Sequence, residues 1–156
     1  MRAAPLTAEA FAPFGTLIRH GGANGRHHLP EALAARPGFE RPAVWVNRLA
    51  VAAWPVQAVQ LERHPHGAQS FAPLGAGEML VIVCGADPSG APDPGALRAF
   101  VAPPGTGVCY HPGVWHHGLL AVDDAFDVLV IMAAHGVPSE TEHAVLAAPV
   151  AIAAPD

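Results

Sequence analysis

Two stretches of the chain hold most of its chemistry. They are Glu62-Arg63-His64-Pro65-His66-Gly67-Ala68-Gln69-Ser70-Phe71 and Gly107-Val108-Cys109-Tyr110-His111-Pro112-Gly113-Val114-Trp115-His116-His117. Groups able to hold a metal or move a proton are concentrated there, in a chain of which only 13% of residues are charged. Glu62, His64 and His66 stand two apart, so on a strand all three side chains project to one face. Pro65 cannot donate to a ladder and marks an edge or a bend between them. Neutral imidazoles with a carboxylate and an amide oxygen suit a divalent first-row ion such as Ni, Mn, Fe or Zn. Each stretch leads towards an apolar β-type run, so the two look like edges of one pocket in a β-barrel. A small-molecule enzyme is the leading expectation.

The elements that must position these residues are mostly strands. Residues 44–49 and 56–62 alternate apolar and polar side chains, as half-buried antiparallel strands do. Residues 79–84 read as a strand buried on both faces. Residues 87–90 and 92–95 form a turn-rich excursion, after which 97–101 resume the sheet; 119–122, 128–132 and 145–152 supply further strands. Thr7 caps a short helix over 8–12 that Pro13 and Gly15 close, and residues 30–36 form a helical turn or two. Short strands punctuated by 16 glycines and 17 prolines, with almost no helix, predict an all-β sandwich, jelly roll or small barrel.

Composition narrows the function. The 156 residues suit a single domain over 1–156 with a real core. Half the residues are apolar, which excludes disorder, and no apolar run approaches the length of a membrane helix. No hydrophobic signal core follows the first five residues, so the expected location is cytoplasmic. The net charge of −5 and scattered basic residues show neither a nucleic-acid stripe nor a polybasic membrane patch. Cys84 and Cys109 are expected as two buried thiols rather than a disulfide.

The spacing Glu62-x-His64-x4-Gln69 resembles the first metal motif of the cupin superfamily, and His111-Pro112-Gly113-Val114-Trp115-His116 resembles the second. The wording is closer still to the ureidoglycolate lyase family. The chain resembles it in Pro5-Leu6-Thr7-x-x-Ala10-Phe11, Glu62-Arg63-His64-Pro65, Gln69-x-Phe71-x-Pro73-Leu74, Leu97-Arg98-Ala99-Phe100 and Tyr110-His111-x-x-Val114-Trp115-His116-His117. This resemblance spans nearly the whole chain in order. It implies a cupin-type double-stranded β-helix (a jelly-roll barrel) with a short N-terminal helix, usually as a homodimer. It also implies a carbon–nitrogen lyase of the amidine-lyase type, which cleaves ureidoglycolate to glyoxylate and urea in purine and allantoin breakdown with a divalent metal, often nickel. His64, Gln69, His116 and Glu62 then become the metal ligands. Glu62, His111 and His116 become the catalytic groups, and Arg26, His28, Arg63 and Tyr110 the substrate-binding groups.

Some family positions differ. Cys109 stands where the family usually has Asn, and Met132-Ala133 stand where it has an Asp-Arg pair. An alternative reading is therefore a non-catalytic or re-purposed paralogue that binds a different small polar acid; a third is a metal cupin with oxygenase or isomerase chemistry. Individual residues also carry plainer readings. Glu62 could pair with an arginine, Arg63 could face outward, and His111 could cap a turn. His66 is either pocket wall or solvent-facing, and His117 should point away from His116 on a strand. His20, His27, His135 and His143 read as surface residues, and Trp115, Tyr110 and Phe71 as core.

Overall fold

In the computed structural model, residues 1–22, 24–133 and 137–155 are described. The six apolar side chains at 79–84 form the centre of strand β6 (Met79–Ala86) and are all buried. Neither face alternates because each meets a separate core. Met79, Val81 and Val83 pack with Phe71, Phe100, Val108 and Val128, whereas Leu80, Ile82 and Cys84 pack with Ala58, Leu61, Trp115 and Ile152.

Around this strand the chain builds two sheets. The larger contains β1 (Ala4–Pro5), β4 (Val56–Arg63), β6, β7 (Pro92–Ala102), β9 (Trp115–His116) and β12 (Glu142–Ile152), ordered β1-β7-β6-β9-β4-β12, with β10 (Leu120–Ala121) also on β6. The smaller contains β2 (Gly15–Ile18), β3 (Pro42–Arg48), β5 (Gln69–Pro73), β8 (Gly107–Tyr110) and β11 (Asp127–Ala133), ordered β2-β8-β5-β11-β3. All neighbours are antiparallel except β1 on β7. This is an all-β, cupin-type fold with little helix, as the sequence implies.

The helix is a single turn, α1 (Ala8–Phe11). Thr7 caps it by accepting from the Ala10 N–H at 3.1 Å, and Phe11 is fully buried. Residues 30–36 contribute only a 3-10 turn over Pro30–Leu33. The expected excursion at 92–95 is not a turn but the start of β7, with Pro92 opposite Ala86. A register shift beside Ala86 and the exposure of these residues accommodate the prolines there. The turn proper is 87–90, where the Asp87 carboxylate accepts from Ser89 and from the Ala91 N–H. The last strand starts at Glu142 rather than 145, and a register shift between Val145 and Val150 absorbs Pro149. Cys84 and Cys109 are free and buried, as expected.

Candidate metal centre between the two sheets

Strand β4 ends at Arg63, and β9 inserts beside it so that Glu62 lies directly opposite His116. His64 follows at the strand end. Facing them, Gln69 opens β5 opposite Tyr110 at the end of β8. The two motifs are tied together by the turn between β8 and β9. There Gly113, at φ +82°, donates its N–H to the His64 carbonyl at 2.8 Å. A side chain is poorly tolerated at that φ, so the glycine serves the turn.

Within this frame one ligand atom each from Glu62, His64 and His116 lies within 4.8 Å of the others. The rings of His64 and His116 are 5.3 Å apart at their centroids. Each ring is fixed through Nδ1. That of His116 donates to the Val114 carbonyl at 2.9 Å, and that of His64 to the Glu140 carbonyl at 3.1 Å, with the Thr141 hydroxyl at 3.2 Å. Both Nε2 lone pairs therefore point into the cluster. There the Nε2 atoms of His64 and His116, Oε1 of Gln69 and the Tyr110 hydroxyl are buried without a hydrogen-bond partner. Buried polar atoms in native proteins are nearly always satisfied. Three of these orphans, Nε2 of His64, Nε2 of His116 and Oε1 of Gln69, make with the Glu62 carboxylate the donor set of a divalent cation site, and a metal fits.

The electrostatics agree. Glu62 Oε1 and His116 Nε2 stand 3.5 Å apart, at the outer limit of a hydrogen bond. Even so, this side-chain hydrogen-bonding contact with His116 is the largest influence on Glu62. It holds the carboxyl below its usual range against the opposing effect of burial, and the neighbouring imidazoles of His64 and His143 act in the same direction. Burial, and then the neighbouring His116, push the His64 pKa down, which keeps its imidazole neutral and able to ligate. Burial pushes the Tyr110 phenol strongly up, with Glu62 adding to it, so that its O–H stays protonated. The Tyr110 ring stacks on His116 at 4.3 Å.

Glu62, His64 and Gln69 line a hollow of about 380 Å³ together with Trp45, Asn47, Leu49, Phe71 and Thr141. A larger hollow of about 630 Å³ lies against Phe14, Phe100 and Trp115, is mainly apolar and contains none of the ligand atoms.

Other residues singled out from sequence lie elsewhere. His111 follows the end of β8, so alternation sends it away from Tyr110, into a separate hollow with Arg19, His27 and Glu31. Arg63 alternates with Glu62 and faces outward. It pairs with Glu142 at 2.6 Å, donates to the Gly90 carbonyl at 2.8 Å and lies 4.5 Å over the Trp115 ring. Arg26 and His28 are exposed on the loop before the 3-10 turn, outside the hollow. His66 stacks on Phe39 at 4.1 Å and contacts Ser139, so it is not a fourth ligand.

His117 shares a smaller cleft with Glu62, His116 and His143. His20 and His27 are exposed, and His135 lies outside the described residues. His143 is half-exposed, yet its Nε2 is 3.5 Å from Glu62 Oε2. Nothing in its local sequence signals this, because the contact comes from the pairing of β12 with β4. Cys109 alternates to the side away from Tyr110 and contacts the Glu31 carbonyl, so the Asn-to-Cys difference removes no group from the cluster. Met132 does line the hollow.

Comparison with known proteins shows the family. The family model described as ureidoglycolate lyase matches residues 1–153. A ureidoglycolate lyase from Burkholderia cepacia is 42% identical, over 84% of this chain and 78% of that protein. One from Azotobacter vinelandii is 37% identical over 89% of this chain and 88% of its own. Among solved structures, a dTDP sugar isomerase from Desulfovibrio desulfuricans shows a loose likeness, with a TM-score of 0.46 and 19% identity over 84% of this chain and 82% of that one.

Proposed function

We propose that this chain, which belongs to the ureidoglycolate lyase family, cleaves ureidoglycolate to glyoxylate and urea at the cluster of Glu62, His64, Gln69 and His116. The observation that carries the reading is the pair of imidazoles pinned through Nδ1, whose orphaned Nε2 atoms converge on the Glu62 carboxylate.

Ureidoglycolate carries a hydroxyl, a carboxylate and a ureido nitrogen on one carbon. Breaking the carbon–nitrogen bond requires that the hydroxyl lose its proton and the departing nitrogen gain one. A divalent ion, when held by His64, His116, Gln69 and Glu62, would supply Lewis acidity that eases loss of the hydroxyl proton. Glu62, kept ionised and one-third exposed, is placed to accept that proton. The Tyr110 O–H, kept protonated, is available to donate a hydrogen bond to the departing nitrogen or a substrate oxygen. Burial of His64, Gln69 and His116 limits the water around these groups, which strengthens each electrostatic contact.

The same proposal takes a divalent metal, nickel first with manganese, iron or zinc as alternatives, the whole chain as one catalytic domain, a homodimer as the assembly and the cytoplasm as the location. On their placement, Arg26, His28, Arg63 and His111 have no direct part in it. The test is glyoxylate release from ureidoglycolate by metal-stripped protein, with nickel or manganese added back, beside the His116→Ala variant. Metal-dependent release that the variant lacks supports the proposal; no release by folded, metal-loaded protein overturns it.

A further inference from the structure

We propose that His143 is a positioning residue for Glu62: it holds Oε2 of the carboxylate outside the cluster, so that Oε1 stays turned to His116. This inference rests on the reading of Glu62 as ligand and proton acceptor above. The placement comes from the backbone. His143 lies opposite Glu62 in the pairing of β12 with β4, and Glu62 lies opposite His116 in that of β4 with β9. Partners in such a row share one face of the sheet, with Cβ atoms roughly 5 Å apart. The three side chains therefore form a line from the buried His116, through the partly buried Glu62, to the half-exposed His143 on the edge strand.

The carboxylate is divided between the two outer rings of that line. Oε1 lies 3.5 Å from His116 Nε2, and Oε2 lies 3.5 Å from His143 Nε2. Glu62 lines both the hollow of the cluster and a smaller cleft of about 180 Å³, whereas His143 borders the cleft and not the hollow. The two contacts are not equivalent. Nδ1 of His116 keeps its proton for the Val114 carbonyl, so a ring that gives its Nε2 lone pair to an ion has no proton left for Oε1. His143 stands outside the ligand group, and a neutral ring protonated at Nε2 suffices to donate to Oε2. Left to itself a glutamate side chain samples several rotamers, so this second anchor decides which oxygen the cluster meets. The contact is too exposed to add much to the stability of the fold. Its effect belongs at the cluster, as with other outer partners of ligating carboxylates.

The test compares the natural chain with His143→Ala, His143→Gln and His117→Ala. Nickel affinity is measured by competition against a chelator, kcat and KM for ureidoglycolate at saturating nickel, and folding by thermal melting. The glutamine amide offers an N–H where the imidazole had one. His117 lines the same cleft with its Nδ1 at the Gly118 carbonyl, and controls for the loss of any nearby imidazole. His143→Ala should weaken nickel binding and lower kcat about tenfold each, with KM within about threefold and an unchanged melting temperature. His143→Gln should restore both to within about threefold of the natural chain, and His117→Ala should change neither by more than about twofold. If His143→Ala binds nickel as tightly as the natural chain, if glutamine does not restore it, or if His117→Ala weakens it equally, the inference fails. Glyoxylate release by the natural chain then leaves the lyase reading standing. If the natural chain binds nickel but releases no glyoxylate, the lyase reading fails, and the nickel affinities alone decide the role of His143. A natural chain that binds no nickel overturns the inference outright.

Discussion

Glu62 and His116 face each other as register partners on β4 and β9, with Oε1 and Nε2 3.5 Å apart, although 54 positions separate them in sequence. His116 is 1% exposed, whereas the carboxyl reaches the hollow. One partner is thus locked in place and the other remains open to a ligand.

His116→Ala should therefore lose the metal before it loses the fold. Outer-shell changes at metal sites already cost about 10- to 100-fold in affinity, so removing a ligand should cost more than about 100-fold. The measurement is metal content after dialysis, read beside the circular dichroism spectrum.

Thr141→Val removes one of the two groups at His64 Nδ1 and leaves the Glu140 carbonyl in place. A metal affinity about tenfold weaker is expected, with the melting temperature nearly unchanged. Competition against a chelator of known affinity measures it.

Tyr110→Phe should separate activity from stability. The hydroxyl is buried and unbonded, so its removal should leave stability unchanged or slightly raised. If that O–H donates during the reaction, kcat falls about 100-fold or more. Unchanged kcat with unchanged stability would remove Tyr110 from the mechanism.

Arg63→Ala should do the reverse. Its bond to Glu142 and its stacking on Trp115 make it a fastening on the outer face. A loss of about 1–2 kcal/mol in urea unfolding is expected, with kcat/KM within about threefold.

Acid should act first through His64. Its pKa is lowered in the folded protein, so as pH falls below the ordinary histidine value of 6.5 the unfolded chain takes up the proton first. Stability conferred by the neutral ring is full above that value and is lost as pH drops through the lowered folded one. Glu62 follows the same sign from its ordinary value of 4.5 downward. Urea midpoints of metal-free protein should therefore fall between pH 7 and 5, and a His64→Gln variant should show a flatter curve over that interval.

Much of the fold was legible in the sequence because period-2 alternation at 56–62 and continuous burial at 79–84 are local properties. The 92–95 strand was not, since its Pro and Gly content signals a turn unless the neighbouring register shift is known. In the site, Glu62, His64, Gln69 and His116 were legible from spacing. The side taken by His111 was not, because it depends on β8 ending at Tyr110. The outward turn of Arg63 follows from alternation with Glu62. The approach of His143 appears only once β12 pairs with β4.

Strand β9 is only two residues long, yet it alone joins β6 to β4 in the larger sheet. Before residues 115–116 reach their slot, the two halves of that sheet have no common edge and the ligands share no space. The complete ligand set, which includes His116, would therefore exist only in the assembled sheet. A core of two apolar clusters supports the fold without an ion, unlike a small zinc domain, which is unfolded without its metal. Chelation should accordingly empty the protein and leave its architecture standing.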